Sequence, residues 1–312
     1  MNNTSSLNPA ARVTGVEHWT NKGDVRLFLW EKFVDSPSGK PALLFVHGSS
    51  MASQPTFDLS VPGRADSSAM DWFARRGFVC WCVDMEGYGR SDKTRDITCD
   101  IANGADDLEA ATDYIAKARG VTRFMSYGIS SGALRAALFA QRQPARVARL
   151  VLDAFVWTGA GSPTLEQRRK KLPEFMKSKR RPIDRAFVYS IFERDHPDCA
   201  ERRVVDAFAD AILALDDSMP NGTYIDMCSR LPLVDPQRIV VPTLILRGQF
   251  DGIAGIDDLI DFFKRLPNPD KQFTMMSGIS HASFQQKNHL MVYDILLGYF
   301  SRREPHYISA DA

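Results

Sequence analysis

The chain has 312 residues, of which 44% are hydrophobic and 25% are charged, and its formal net charge at pH 7 is +1. This length and composition are typical of a globular protein with one large domain, or with one domain that carries an insertion. The balanced charge argues against binding of nucleic acids or anionic membranes through net charge, and no stretch approaches the roughly 18 apolar residues that a membrane span requires. We therefore expect neither a nucleic acid nor a membrane as partner.

Strand-like apolar runs and helix-like stretches alternate over the first half of the chain. The predicted strands are residues 26–30, 42–46, 78–83, 123–126 and 147–153, and the predicted helices are residues 69–74, 104–119 and the stretch that follows the fourth strand to about residue 143. Farther on, the alternation returns with strands at 239–246 and 272–276 and helices at 256–265 and 288–300. This order predicts an α/β fold, with a mostly parallel central sheet flanked by helices.

The alternation is interrupted between residues 154 and 237. Short helical pieces in this segment are separated by prolines, among them Pro163, Pro173, Pro182, Pro197 and Pro220. A buried strand follows directly, so we interpret the segment as a helical cap lying over the sheet and inserted after the strand at residues 147–153, which we count as the sixth strand of the complete sheet. Residues 1–153 and 238–312 would then form the core.

Cysteine usage and the first residues bear on compartment and cofactors. The five cysteines are an odd number and lack the spacing of a metal site. Residues 1–6 are polar and do not have the basic and apolar profile of a secretory signal. We therefore expect a reduced, cytoplasmic protein without a structural metal.

The most informative stretch is Gly128-Ile129-Ser130-Ser131-Gly132, which follows an apolar strand and precedes an Ala/Leu-rich helix. A serine hydroxyl is a poor nucleophile unless it is exposed and has a base as partner. A sharp strand-to-helix turn supplies that exposure, and glycines on both sides allow the backbone to fold tightly. The pattern predicts a nucleophilic serine.

Two polar residues that follow later strands could complete such a site. Asp251 comes just after the strand at residues 239–246, and His281 lies in the loop after the strand at residues 272–276. The carboxyl ends of parallel strands meet at one edge of a sheet, where Ser130 is also expected. The chain order of serine, aspartate and histidine is the one expected of a nucleophile-elbow hydrolase.

A loop after the strand at residues 42–46 is the candidate oxyanion hole. It reads His47-Gly48-Ser49-Ser50, with small residues whose backbone N–H groups can approach a ligand. The N–H groups of Ser49 and Ser131 are predicted to stabilise a developing oxyanion together. His47 is expected to support this loop through hydrogen bonds.

Together these motifs resemble those of the α/β-hydrolase family, and the resemblance extends from about residue 25 to residue 300. Residues 84–92, Asp-Met-Glu-Gly-Tyr-Gly-Arg-Ser-Asp, are also similar to the loop that follows the family's fourth strand. The resemblance implies a serine-nucleophile member, esterase-like, lipase-like or C–C-hydrolase-like, with a helical cap. It implies that Ser130 is the nucleophile, His281 the general base and Asp251 the orienting acid, with no cofactor.

Two of these assignments have competitors. Asp153 ends the sixth strand of the sheet, where some members of the family carry their acid, although the Gly-Gln-Phe-Asp context favours Asp251. His289 falls in a helix and His18 and His306 lie near the termini, so His281, the only histidine at a strand end late in the chain, is the expected base.

Substrate contacts are predicted at Ser50 and at the two aromatic residues that open the inserted segment, Phe155 and Trp157. A purely packing role for the aromatics fits the sequence equally well. Residues 161–185 also hold nine basic side chains, which suit a solvated helix face or a site for a substrate carboxylate. They are Arg168, Arg169, Lys170, Lys171, Lys177, Lys179, Arg180, Arg181 and Arg185.

The leading hypothesis is a Ser-His-Asp hydrolase that cleaves a carboxylic ester of a small or medium substrate, including one that bears a carboxylate, through an acyl-enzyme. A carbon–carbon bond hydrolase acting on a diketone-like substrate is the alternative, because it uses the same triad. A non-catalytic ligand receptor on the same fold is a third hypothesis. Each implies a small-molecule partner, and none predicts the oligomeric state.

Overall fold

The structure is a computed structural model that describes residues 12–303. Its strands are β1 (Val13–Lys22), β2 (Val25–Val34), β3 (Ala42–Val46), β4 (Val79–Val83), β5 (Phe124–Ile129), β6 (Val147–Asp153), β7 (Arg180–Pro182), β8 (Ser218–Pro220), β9 (Thr243–Gly248) and β10 (Lys271–Met276). Its α-helices are α1 (Ser53–Phe57), α2 (Ala69–Ala74), α3 (Ile101–Arg119), α4 (Ser131–Arg142), α5 (Pro163–Lys170), α6 (Leu172–Lys177), α7 (Arg185–Glu193), α8 (Arg202–Leu213), α9 (Gly222–Ser229), α10 (Ile256–Arg265) and α11 (His289–Phe300).

Eight of the strands form one sheet in the order β1-β2-β4-β3-β5-β6-β9-β10. The pairs β1–β2 and β2–β4 are antiparallel, and all pairs from β4–β3 to β9–β10 are parallel. Strands β3 and β4 are buried along their whole length, as expected where helices cover both faces of a sheet. The predicted class, a mostly parallel sheet flanked by helices, is confirmed.

One sheet edge holds a strand that the sequence analysis did not predict. Strand β1 pairs with β2 from Val13↔Val34 to Lys22↔Val25, and Gly23, with a φ of +57°, turns the hairpin. No residue of β1 is fully buried, so apolar and polar side chains do not alternate clearly along it. An edge strand of this kind gives only a weak periodic signal.

Helix α3 begins at a side-chain cap and ends at a glycine. In α3, the carboxylate of Asp100 accepts a hydrogen bond from the backbone N–H of Asn103, and Gly120 ends the helix with a φ of +70°. The sequence placed the start of this helix at residue 104, three residues late. Within residues 12–303, no helix combines the length and the apolar character needed to cross a membrane.

The segment 154–237 lies between β6 and β9 in the chain and outside the main sheet. It contains α5 to α9 together with the small antiparallel pair β7–β8, which the sequence analysis did not predict. Its backbone bonds to loops of the core: Thr164 donates to the carbonyl of Gly252 at 3.2 Å, and Gly222 donates to that of Thr98 at 2.7 Å. These bonds hold the segment over the carboxyl-end loops of the sheet.

A buried aromatic cluster lies beneath those loops. Phe45 of β3 stacks on Phe57 with ring centroids 5.0 Å apart, and Tyr127 of β5 stacks on Phe284 at 4.8 Å. Phe45 also meets Tyr127 edge to face at 5.8 Å. Buried aromatic pairs of this type contribute about 0.5–1.5 kcal/mol each beyond their buried area. The cluster therefore fixes the ends of β3 and β5 and the segment after β10 relative to one another.

Candidate active site

Ser130 lies in the turn between β5 and α4 with φ +58° and ψ −125°, a conformation that costs a non-glycine residue about 1–3 kcal/mol. The turn is tight on both sides. A Cβ on Gly132 would come within 2.2 Å of the carbonyl oxygen of Val46, and one on Gly128 within 2.4 Å of that of Gly132. Both positions therefore require glycine. The turn presents the serine side chain at the edge of the sheet where the loops converge.

His281 and Asp251 complete a chain of hydrogen bonds that begins at Ser130. The Nε2 atom of His281 is 3.0 Å from the Ser130 Oγ, and its Nδ1 atom is 3.0 Å from Oδ1 of Asp251. The Asp251 Oδ1 also accepts the backbone N–H of Ile253 at 2.9 Å, which fixes the carboxylate. All three side chains are buried. Because the carboxylate can only accept, Nδ1 carries the proton and Nε2 is free to accept the serine hydroxyl proton.

The competing acid, Asp153, has other partners. The hydroxyl of Tyr127 donates to its Oδ2, and its backbone carbonyl accepts the N–H of Ser130 at 2.9 Å. Complete burial raises the pKa of Asp153 to about 7. The histidine hydrogen-bonds to Asp251 instead, so the structure brings Asp251 and not Asp153 to the imidazole.

The raised pKa of Asp153 makes stability depend on pH. The folded protein holds this proton up to about pH 7, whereas the unfolded chain releases it near pH 4. The contribution of Asp153 to stability therefore falls as the pH rises from about 4 to 7. We compare the free energy of unfolding of Asp153→Asn with that of the wild type. We expect the difference to favour the variant by about 2–3 kcal/mol more at pH 8 than at pH 5. Urea unfolding of both proteins at both pH values measures this, and a difference that does not change with pH would contradict it.

The candidate oxyanion loop approaches the nucleophile directly. A Cβ on Gly48 would lie 3.4 Å from the Ser130 Cβ, and Ser49 lines the same small cavity as Ser130. Ser131 opens α4, and the first N–H groups of a helix have no partner within that helix. The two predicted donors thus lie on the two segments that flank the serine.

His47 is a structural residue of this loop. Its Nε2 accepts the backbone N–H of Met85 at 3.0 Å, so its Nδ1 donates to the carbonyl of Gly48 at 2.8 Å. Burial, together with the positive charge of Arg135, lowers the pKa of His47 to about 3 and keeps the ring neutral. The ring therefore ties the oxyanion loop to the loop after β4.

The predicted substrate-binding residues separate into two groups. Ser50 lines the cavity of Ser130 and lies 3.2 Å from the hydroxyl of Tyr224. Phe155 is fully buried and packs on Phe262 of α10, with ring centroids 4.7 Å apart. Trp157 also packs on Phe262 and donates to the carbonyl of Val234 at 3.3 Å. The structure therefore places both aromatics in the packing between the inserted segment and α10, and neither lines the cavity of Ser130.

Two arginines of the inserted segment, one from the predicted basic run and one outside it, face the triad. Arg168 of α5 and Arg194, just after α7, line a cavity of about 10 Å³ together with Ser130 and His281. The same two side chains also line a second, larger cavity of about 460 Å³. Arg168 was part of the predicted basic run, but nothing in the sequence distinguished it from its neighbours, and Arg194 lies outside that run.

A third carboxylate, Asp195, lies close to the triad. One possible metal-ligand atom from each of Asp195, Asp251 and His281 lies within 4.8 Å of the other two. These atoms already have protein partners, since Asp251 holds His281 and Asp195 accepts two hydrogen bonds of 3.0 Å from Arg194. The arrangement is that of a hydrogen-bonded triad next to an ion pair.

Comparison with known proteins identifies the family. The sequence matches the model of the family described as serine aminopeptidase, S33, over residues 61–288, which is most of the chain. The chain belongs to this α/β-hydrolase family. The sequence-based assignment to the α/β-hydrolases is thereby confirmed.

Solved structures share the fold of this α/β-hydrolase at low sequence identity. A thermophilic esterase from Thermogutta terrifontis, with malate bound, has a TM-score of 0.66 and 19% identity, and the match covers 92% of this chain and 98% of that one. E-2-(acetamidomethylene)succinate hydrolase has a TM-score of 0.67 and 17% identity, with 93% and 100% covered. The 2-hydroxy-6-oxo-6-phenylhexa-2,4-dienoate hydrolase of Rhodococcus sp. strain RHA1 has a TM-score of 0.67 and 13% identity, and the match covers 93% of this chain and 100% of that one. A comparison with curated protein sequences gives no match.

Proposed function

We propose that this α/β-hydrolase is a serine hydrolase that cleaves a carboxylic ester of a small or medium substrate. The observation that carries the proposal is the continuous hydrogen-bonded chain from Ser130 through His281 to Asp251, with both links at 3.0 Å. A serine nucleophile requires a base within hydrogen-bond distance, and that base must be oriented by a third group.

In the proposed mechanism, His281 takes the Ser130 proton while Oγ attacks the ester carbonyl. Asp251 holds the imidazole in the reactive tautomer and stabilises the imidazolium. The imidazolium then gives its proton to the departing alcohol, which leaves an acyl-enzyme on Ser130. Water, deprotonated by His281, attacks the acyl group and releases the acid. Each step uses only protein groups and water, so the proposal includes no cofactor.

The oxyanion of the tetrahedral intermediate would bind the backbone N–H groups of Ser49 and Ser131. The proposal rests on the position of these residues on either side of Ser130, and on the rigidity that His47 gives to the first of the two segments. A donor of this kind contributes about 3–4 kcal/mol to transition-state stabilisation. Residues 154–237 would act as the cap that closes over this centre and selects the substrate.

The family and its structural neighbours support ester hydrolysis together with two related reactions that a test must separate. The family is described as a serine aminopeptidase family, and the structural neighbours include an esterase and two hydrolases of unsaturated acids, one of them a dienoate. Esters, amides and carbon–carbon bonds next to a ketone all present a carbonyl to the same serine. Pocket shape decides between them, so the bond type is a matter for direct assay.

A substrate panel combined with covalent labelling tests the proposed function. We expect the purified protein to hydrolyse p-nitrophenyl acetate and other short esters faster than aminoacyl p-nitroanilides or a 1,5-diketone acid. A fluorophosphonate probe should label one serine, and mass spectrometry of the labelled peptide should place the probe on Ser130. Cleavage of the diketone alone would favour the carbon–carbon hydrolase. Labelling at another residue would overturn the triad, and no turnover with retained ligand binding would favour a receptor.

A further inference from the structure

A guanidinium of the inserted segment is left without a partner beside the candidate nucleophile. The Nη1 atom of Arg168 is buried and has no hydrogen-bond partner among the described residues. Its side chain lines the 10 Å³ cavity that contains Ser130 and His281. A buried donor of a charged group that lacks an acceptor is costly, so such atoms normally meet a ligand or water.

Arg194 reaches the same cavity and is held there by protein contacts. Its Nε and Nη2 atoms each donate to the Asp195 carboxylate at 3.0 Å, and the side chain of Asp195 is only 4% exposed. Thr164 donates to the same carboxylate at 3.2 Å. Gly252 makes this approach possible, because a Cβ there would lie 2.6 Å from the Asp195 oxygen. The guanidinium is therefore positioned in advance.

A third arginine of the segment shows the contrast. Both terminal nitrogens of Arg181 donate to the protein, to the carbonyls of Ser49 and Pro220 and to the hydroxyl of Ser50, although its Nε is buried without a partner among the described residues. It lies over the ring of Tyr224 at 3.8 Å, and Arg168 lies over the same ring at 4.3 Å.

The positive charges of the arginines act on the hydroxyl of Tyr224. Burial alone would raise the pKa of Tyr224, but the positive charges of Arg168 and Arg181 lower it to about 7. Among the described residues neither Arg168 nor Arg181 forms an ion pair with a carboxylate, whereas Arg194 pairs with Asp195. An anion bound here would gain from these positive charges.

Resting on the proposed function, we propose that Arg168 and Arg194 bind a carboxylate of the substrate, so that the preferred substrates are half-esters of short dicarboxylic acids. The two side chains line both the small cavity at Ser130 and the 460 Å³ cavity, whose lining also includes Phe250 and Lys171. The inner cavity holds at most about one water molecule, so a substrate must move the Arg168 side chain, whose Nη1 has no hydrogen-bond partner among the described residues, to reach Ser130. The substrate carboxylate then pairs with Arg168 in its new position and with Arg194, which Asp195 holds in place, while a neutral ester gains neither pairing.

The test compares monomethyl succinate with dimethyl succinate by pH-stat assay. We expect the wild type to favour the half-ester in kcat/KM by about 100-fold, and Arg168→Met and Arg194→Met each to reduce that preference by about 10-fold or more. Lys170→Met is the matched control: it removes one positive charge from the same helix, but Lys170 is exposed and bonds only to Gln167. It should keep the wild-type preference.

Two further readouts separate failure of this inference from failure of the proposed function. Hydrolysis of p-nitrophenyl acetate, a neutral ester, by the wild type and by Lys170→Met tests the proposed function itself, and urea unfolding shows that Arg168→Met and Arg194→Met are folded. Calorimetric binding of succinate to Ser130→Ala needs no catalysis, and adding Arg168→Met should abolish it. Equal kcat/KM for half-ester and diester in the wild type, together with no succinate binding, overturns the carboxylate site even if ester hydrolysis stands.

Discussion

Replacing Ser130 with alanine is expected to lower kcat for ester hydrolysis by about 10⁵-fold or more, because the Oγ atom is the proposed nucleophile and its loss leaves only binding and the oxyanion donors. Folding should change little. The left-handed φ of +58° is equally strained for alanine, and the hydroxyl bonds only to His281 among the described residues. Steady-state kinetics with p-nitrophenyl acetate and urea unfolding of the same preparation measure both effects.

Ser131→Ala is the matched control, since the two serines are adjacent in the same turn. The hydroxyl of Ser131 is buried without a hydrogen-bond partner among the described residues, and the proposed contribution of this residue is its backbone N–H. Alanine keeps that N–H, so activity should stay within a few fold of wild type. Retention of more than a tenth of the activity by Ser130→Ala, or an equal loss in Ser131→Ala, would remove Ser130 from the nucleophile role.

The order of the central strands was predictable because the buried strands are rich in apolar residues. Strands β3, β4, β5, β6 and β9 were all found this way, as was the parallel order that places their carboxyl ends at one edge. Strand β1 was missed because it lies at the sheet edge and is buried nowhere along its length. The small pair β7–β8 was missed because three-residue strands that contain proline give no periodic pattern.

The site was predictable where the backbone alone places a residue, and not where packing of the inserted segment does. Ser130, Asp251 and His281 each follow a strand, so their convergence is a consequence of the parallel sheet. On α5, by contrast, Arg168 faces the cavity while Lys170, two residues later, faces solvent. That choice depends on how the helix docks on the core, which no local pattern in the sequence specifies.

The same limit explains the aromatic residues at the start of the inserted segment. Phe155 and Trp157 follow β6, a position that suits either a pocket wall or a packing role. Their rings lie against Phe262 of α10, a contact that depends on how this helix docks and that no local pattern specifies. The proposed role of Arg194 could not be predicted from its charge alone. It depends on the close packing of Asp195 against Gly252, the residue after Asp251.

The choice between the two candidate acids leads to the second large effect. Asp251→Asn is expected to lower kcat by about 10⁴-fold, because an amide can donate to Nδ1 and so favours the tautomer in which Nε2 carries the proton and cannot accept one from Ser130. Asp153→Asn is expected to lower kcat by less than about 10-fold, because the amide oxygen can still accept the hydroxyl of Tyr127 and the imidazole is not its partner. Both variants are assayed with p-nitrophenyl acetate at pH 7.5.

The pair of variants is its own control, because each removes one buried carboxylate at the carboxyl end of a neighbouring strand. A stability loss alone would lower the active fraction without moving the pH dependence of kcat/KM. Loss of the orienting acid, in contrast, should change the acid limb that reports the imidazole. If Asp153→Asn showed the larger loss in kcat and the altered limb, the acid would belong to β6, and the bond between Asp251 and His281 would have to be a resting arrangement that catalysis does not use.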